Sequence, residues 1–138
     1  MRQVVVALIF LLISLNLGAQ SGDWYEIKFE KGIGTMLIKN RDFDTVWNAS
    51  LQSLALDKFK IRVAEKEGKT INAYKDPSFS YNYEIQITFM VEEGSVSVMA
   101  FTAPLRKYDG LGGLLQQAAS EKRYVQKFFD KLIKTLAQ

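Results

Sequence analysis

Chemistry in this chain has to be done without two of the usual residues. Among its 138 residues there is no cysteine and no histidine. Thiolate nucleophiles, disulfides, serine–histidine triads, His- or Cys-ligated haem and ordinary zinc sites are thereby excluded. Carboxylates remain. Glu65 with Glu67, Glu92 with Glu93, and Asp76 are the candidates for general acid–base work, which needs two carboxyl groups held across a cleft. Both pairs flank stretches that read as turns, where charge is ordinarily solvated. Asn40-Arg41-Asp42-Phe43-Asp44 comes nearest to a calcium loop. Arg41 interrupts it and no glutamate closes it downstream, so Asp42 and Asp44 read as the start of a helix. Gly110-Leu111-Gly112-Gly113 precedes a helical pattern, as phosphate loops do, but has neither of the spacings that cradle a phosphate. With Arg106 and Lys107 beside it, this glycine-rich stretch reads as a connection able to attract an anion or to gate a cavity. No catalytic residue, metal or cofactor is expected.

Large apolar side chains say more than the polar ones. Trp24, Phe79, Tyr81, Tyr83 and Tyr108 form an aromatic group. Its members either pack the core or rim a pocket for a small lipophilic ligand between sheet and C-terminal helix, with their polar tips wet. Tyr74, Met90, Met99 and Phe101 fall on the alternate positions of their strands, away from the helices. Four large groups exceed what a solvated face carries and point to a partner or a second copy of the chain. The contact candidates are therefore Tyr74, Tyr81, Tyr83, Met90, Met99, Phe101, Arg106, Lys107 and Tyr108.

The elements that must position these residues follow from periodicity. Trp24–Glu30 alternates, with Tyr25, Ile27 and Phe29 on one side. Gly32 and Gly34 interrupt before Thr35–Ile38 continues extended, as one bent strand or two short ones. From Asp42 to Leu56 the period is helical, with Phe43, Val46, Trp47, Ser50, Leu51, Leu54 and Ala55 on one stripe and Asp42 as N-cap. Phe59–Glu65 alternates again. A three-residue turn near Glu67-Gly68-Lys69 keeps apolar residues together by opposing Val63 to Ala73, whereas a two-residue loop would set Val63 against Asn72. Asp76-Pro77-Ser78 reads as a break. Tyr81–Val91 and Ser95–Ala103 form the clearest hairpin: a two-residue turn at Glu93-Gly94 pairs Val91 with Val96, Phe89 with Val98 and Ile87 with Ala100. Pro104–Gly113 reads as a loop. A helical stripe then runs from about Leu114 to Ala137 through Val125, Phe128, Phe129, Leu132, Ile133 and Leu136. The expectation is one α+β domain over residues 20–138, with an antiparallel sheet of about five strands and two helices on one face.

The stretch Val46-Trp47 … Leu51 … Leu54 … Phe59-Lys60-Ile61 … Glu65-Lys66-Glu67-Gly68-Lys69-Thr70-Ile71 resembles a pattern of bacterial envelope proteins. In that pattern a helix leads into a strand, a charged turn with glycine and a second strand. It is similar to the helix-grip domains of the C-type lipoprotein subunit of the outer-membrane β-barrel assembly machine. The resemblance implies a binding or scaffold role and no catalytic residues. The chain departs from those lipoproteins in having no cysteine to carry a lipid.

The N-terminal residues read as an address. Met1-Arg2-Gln3 is basic, Val4–Leu17 is apolar except for Ser14 and Asn16, and Gly18-Ala19 supplies a small-residue end. Together these make a secretory signal peptide over residues 1–19, cut near Ala19. The alternative is a retained anchor, for which the apolar run is short. Removing the segment takes away Arg2 and leaves 17 basic against 15 acidic residues, a balance with no nucleic-acid footprint. The expected protein is periplasmic or secreted, has no stable membrane anchor, and acts as a non-enzymatic binding or assembly module of the envelope. Its partner would be an envelope protein or a second copy, with carriage of a small lipophilic ligand as the alternative.

Overall fold

The computed structural model describes residues 23–78, 81–106 and 111–138, with side chains described for all of these except 76–78, 81–82, 104–106 and 111–121. The proposed signal segment, Phe79, Lys107 and Tyr108 therefore lie outside the described residues. The chain is α+β. Strands β1 (Tyr25–Glu30) and β2 (Ile33–Lys39) lead into helix α1 (Phe43–Leu56), four strands follow, β3 (Lys60–Glu65), β4 (Thr70–Ser78), β5 (Tyr81–Glu92) and β6 (Ser95–Arg106), and helix α2 (Leu111–Leu136) ends the fold. The six strands form one sheet in the order β1-β2-β6-β5-β4-β3, antiparallel throughout. Helix α1 carries the chain from β2 to the far edge of the sheet, and the β3–β6 meander walks back until β6 pairs with β2.

The sheet has six strands rather than about five because the first extended region is a hairpin. Lys31 and Gly32 both take positive φ, 51° and 80°, the geometry of a two-residue turn between right-twisted strands, and Glu30 opposes Ile33. The β5–β6 register is as the alternation demands: Val91 opposes Val96, Phe89 opposes Val98 and Ile87 opposes Ala100. At β3–β4 the expected register is overturned. Val63 lies opposite Asn72, and a bulge at Arg62 restores Ile61 to Ala73. The premise that burial sets the register fails here because every residue of β3 is exposed, Ile61 by 41% and Val63 by 43%. Two expected breaks are strand instead. β4 runs through Asp76-Pro77-Ser78 with a register shift. Pro104 sits within β6 opposite Tyr83, beyond Ala100, where the pairing with β2 ends. Past that point β6 is an edge, where a missing N–H is tolerated. Helix α2 accordingly begins at Leu111 rather than near Leu114.

One face of the sheet is buried. Ile27, Met36, Ile38, Ile71, Ile85, Ile87, Phe89, Val96, Val98 and Ala100 meet Val46, Trp47 and Leu54 of α1 and Val125, Phe128, Phe129 and Leu132 of α2. On α1 the stripe is shifted by a small angle: Ala49 and Ser53 are buried and Ala55 is exposed. The buried hydroxyls of Ser50 and Ser53 donate back to Val46 O and Ala49 O at 2.7 and 2.6 Å, so neither is left without a partner. Asp42 caps α1, accepting from Thr45 N at 2.6 Å. That bond holds its carboxyl below the usual aspartate range.

The other end of α1 closes with Phe59 N donating to Leu54 O and Lys58 N to Ala55 O. This is a Schellman arrangement in which Lys58, at φ 64°, occupies the position usually given to glycine. Asp57 stands at this terminus, where the helix dipole disfavours an anion. Two lysines compensate: Lys75 Nζ lies 3.3 Å and Lys131 Nζ 3.6 Å from Asp57 Oδ1. Lys131 Nζ also donates to Leu56 O at 3.4 Å. Asp57 thus ties the end of α1 to β4 and to α2.

A Cβ at Gly34 would meet Val125 Cγ1 at 2.6 Å and Phe129 Cε2 at 2.7 Å, so Gly34→Ala should lower stability in urea unfolding by about 1–3 kcal/mol, the usual cost of overpacking. Gly94, with φ 79° and open space around it, should by contrast accept Asn with little change, since Asn tolerates that backbone region. Asp57→Ala strands two lysines that are themselves partly solvated, so its loss should be roughly 1–2 kcal/mol, below that of a fully buried pair. Once Lys75 is already Met, removing Asp57 should cost less.

Candidate functional site

Strand alternation puts a second set of side chains on the sheet face opposite the helices. On β6 these are Ser97, Met99 and Phe101, because Val96, Val98 and Ala100 are buried. The register then fixes their neighbours. Ser97 lies between Leu37 and Met90, Met99 between Thr35 and Thr88, and Phe101 opposite Gln86. Strands about 4.8 Å apart and residues about 3.4 Å apart place Leu37, Met90, Met99 and Phe101 within roughly 15 Å of one another. Met90 is 51% and Phe101 37% exposed, and Met99 and Leu37 are half-buried between their neighbours. The result is an apolar strip on an open sheet face.

Polar groups border the strip on both sides. Glu26 of β1 opposes Leu37 and Lys28 opposes Thr35. On the other side stands a small network around Glu84, which is buried although it lies on the outer face. Glu84 accepts from Asn72 Nδ2 and, at 3.4 Å, from Gln86 Nε2, and its second oxygen lies 3.8 Å from Arg62. The Arg62 guanidinium lies 5.2 Å from the Tyr74 ring centroid and Lys60 Nζ 6.0 Å from it. Two cations thus lie over the Tyr74 ring at the corner of this face.

The remaining candidates are placed elsewhere. Tyr83 is in the core, its ring stacked at 4.0 Å on Tyr124 and edge-on to Phe59 at 6.2 Å. Burial, together with the Tyr124 hydroxyl, pushes its phenol above the usual tyrosine range. Trp24 packs on Tyr25 beneath Arg41. Its carbonyl accepts from Lys39 N, next to the β5–β6 turn, whereas Tyr83 opposes Pro104 at the far end of β5. The two are separated by about 30 Å of strand and do not share one pocket mouth. Tyr81 and Arg106 face each other in the β5–β6 register, and their side chains lie outside the described residues, as does the side chain of Asp76. Glu65, Glu67, Glu92 and Glu93 are exposed at the β3–β4 and β5–β6 turns.

A second feature carries no signature in the sequence. Beside Tyr74, a cleft of about 720 Å³ is lined by Leu56, Asp57, Lys58, Lys60, Tyr74, Lys75, Lys127 and Lys131. Its five lysines come from the α1 terminus, the edge strand β3, its neighbour β4, and α2. The only local trace is the four-residue spacing of Lys127 and Lys131, which puts them on one side of α2. No protein-family model matches this chain, and no curated protein matches it.

Proposed function

We propose that this chain is a non-enzymatic binding or assembly module of the bacterial cell envelope, of the helix-grip kind that its sequence resembles. Residues 1–19 would export it to the periplasm or beyond, where no stable membrane anchor holds it. A protein partner would dock on the outer sheet face. The observation that carries this reading is the exposure of Met90 and Phe101 on a strip that continues through Met99 and Leu37. Methionine is unbranched and polarisable, and it adapts to a partner's surface. The strip has the make-up of an interface, with an apolar centre and a polar rim.

A second copy of the chain is the occupant this face suits best. The rim carries both signs, Glu26 and Lys28 on one side and Arg62 and Glu84 on the other. A two-fold operation brings such a surface against itself. Size-exclusion chromatography with light scattering tests the point. The wild-type chain should run as a dimer, and Met99→Glu or Phe101→Glu should shift it to monomer without loss of helix and strand signal. A wild-type monomer that also retains no envelope protein in a Met99-dependent way would overturn the reading of this face.

A further inference from the structure

The geometry points to the lysine cleft as a binding site for an oligoanionic, phosphate-bearing group. Five lysines, Lys58, Lys60, Lys75, Lys127 and Lys131, line one cleft, and among the described residues that line it Asp57 is the one acid. Lys75 and Lys131 are engaged by that carboxylate. Among the described residues no carboxylate pairs with Lys58, Lys60 or Lys127. Lys58, Lys60 and Lys127 therefore bring three positive charges to the lining with no counter-ion among the described residues. Like charges so gathered repel one another, and a cleft lined by one sign of charge raises the local concentration of an anion that relieves that repulsion.

The helix terminus at the cleft would by itself repel an anion, because its free carbonyls are partially negative. Here those carbonyls are occupied. Leu54 O and Ala55 O accept from Phe59 and Lys58, and Leu56 O accepts from Lys131. The residue types select among anions. Lysine is a compact point charge suited to phosphate oxygens, whereas the planar fork that matches one carboxylate is arginine's, and no arginine lines the cleft. The volume is that of a ligand larger than a single phosphate, within the usual range of ligand pockets. Leu56, 60% exposed at the cleft, offers a foothold to an apolar portion of the ligand. A phosphate-bearing lipid headgroup and a free oligophosphate share this chemistry. The site shares Tyr74 with the corner of the outer face, but none of Leu37, Met90, Met99 or Phe101 lines it, and it does not depend on the reading of that face.

The full chain, titrated with tripolyphosphate by calorimetry and with phosphatidylglycerol vesicles by co-sedimentation, tests the proposal. Lys60→Glu and Lys127→Glu change exposed side chains and should each weaken binding at least fivefold, and the double variant tenfold or more. Lys39→Glu, an equal charge change on β2, should alter it less than twofold. Because all variants share the N-terminal segment, differences between them in vesicle binding report on the cleft. Binding of tripolyphosphate alone assigns the site to free oligophosphates, and binding of vesicles alone assigns it to headgroups. Equal weakening by Lys39→Glu, or no binding to either probe, overturns it. Unchanged thermal unfolding of the variants shows that the fold is intact.

Discussion

The contact of α2 with the sheet at Gly34 sets the rest of the molecule. With no cysteine to staple it, the domain is held by the burial of one sheet face. That face is closed by the two helices, and α2 can approach β2 closely because Gly34 has no side chain. Val125 and Phe129 occupy the space a Cβ would need, and Phe29 packs on Phe129 from the neighbouring strand. Seated over β2 and β6, α2 cannot also cover the distant edge. β3, the last strand in the sheet order, is therefore exposed on both faces and tolerates a bulge. The lysine cleft forms beside it, where α1 ends and α2 passes.

This division explains what was legible from residue order. Where a strand is covered, period and register agree. Phe89 and Val98 are both buried, and the two-residue turn at Glu93-Gly94 pairs them on that face, so alternation and turn length together give the β5–β6 hairpin. The α1 N-terminus was legible for a similarly local reason, because Asp42 reaches Thr45 N within one turn. Where covering is absent, burial no longer selects a register. Val63 has no core to face, so its apolar character did not set its partner. Proline misled in the same way: Pro104 breaks a central strand but not one whose outer neighbour has already ended.

The candidate sites divide along the same line. Tyr74, Met90, Met99 and Phe101 were legible because strand alternation is a local rule, and an apolar residue on the wrong side of it stands out. Tyr83 obeys the rule and lies in the core against Tyr124, a contact across 41 positions of sequence that no local pattern encodes. The cleft was not legible, since Lys58, Lys60 and Lys75 meet Lys127 and Lys131 only through the tertiary fold. Read singly, each is an ordinary solvated charge. What distinguishes them is Asp57, a buried acid at the unfavourable end of a helix, whose compensation draws Lys75 and Lys131 inward and narrows the gap to the others.

Tyr74 belongs to both surfaces. Its ring borders the cleft and also stands beneath Arg62, which reaches Glu84 at the margin of the apolar strip. A change at Tyr74 therefore perturbs an anion site and a protein-facing margin together, and no effect of it can be assigned to either. Met99 and Lys127 lie on opposite sides of the sheet, one in the strip among Thr35 and Thr88, the other on α2. With no shared contact between them, their energetic effects should be independent. The sheet's uncovered face and its uncovered edge are then two consequences of one helix position, available for different chemistry.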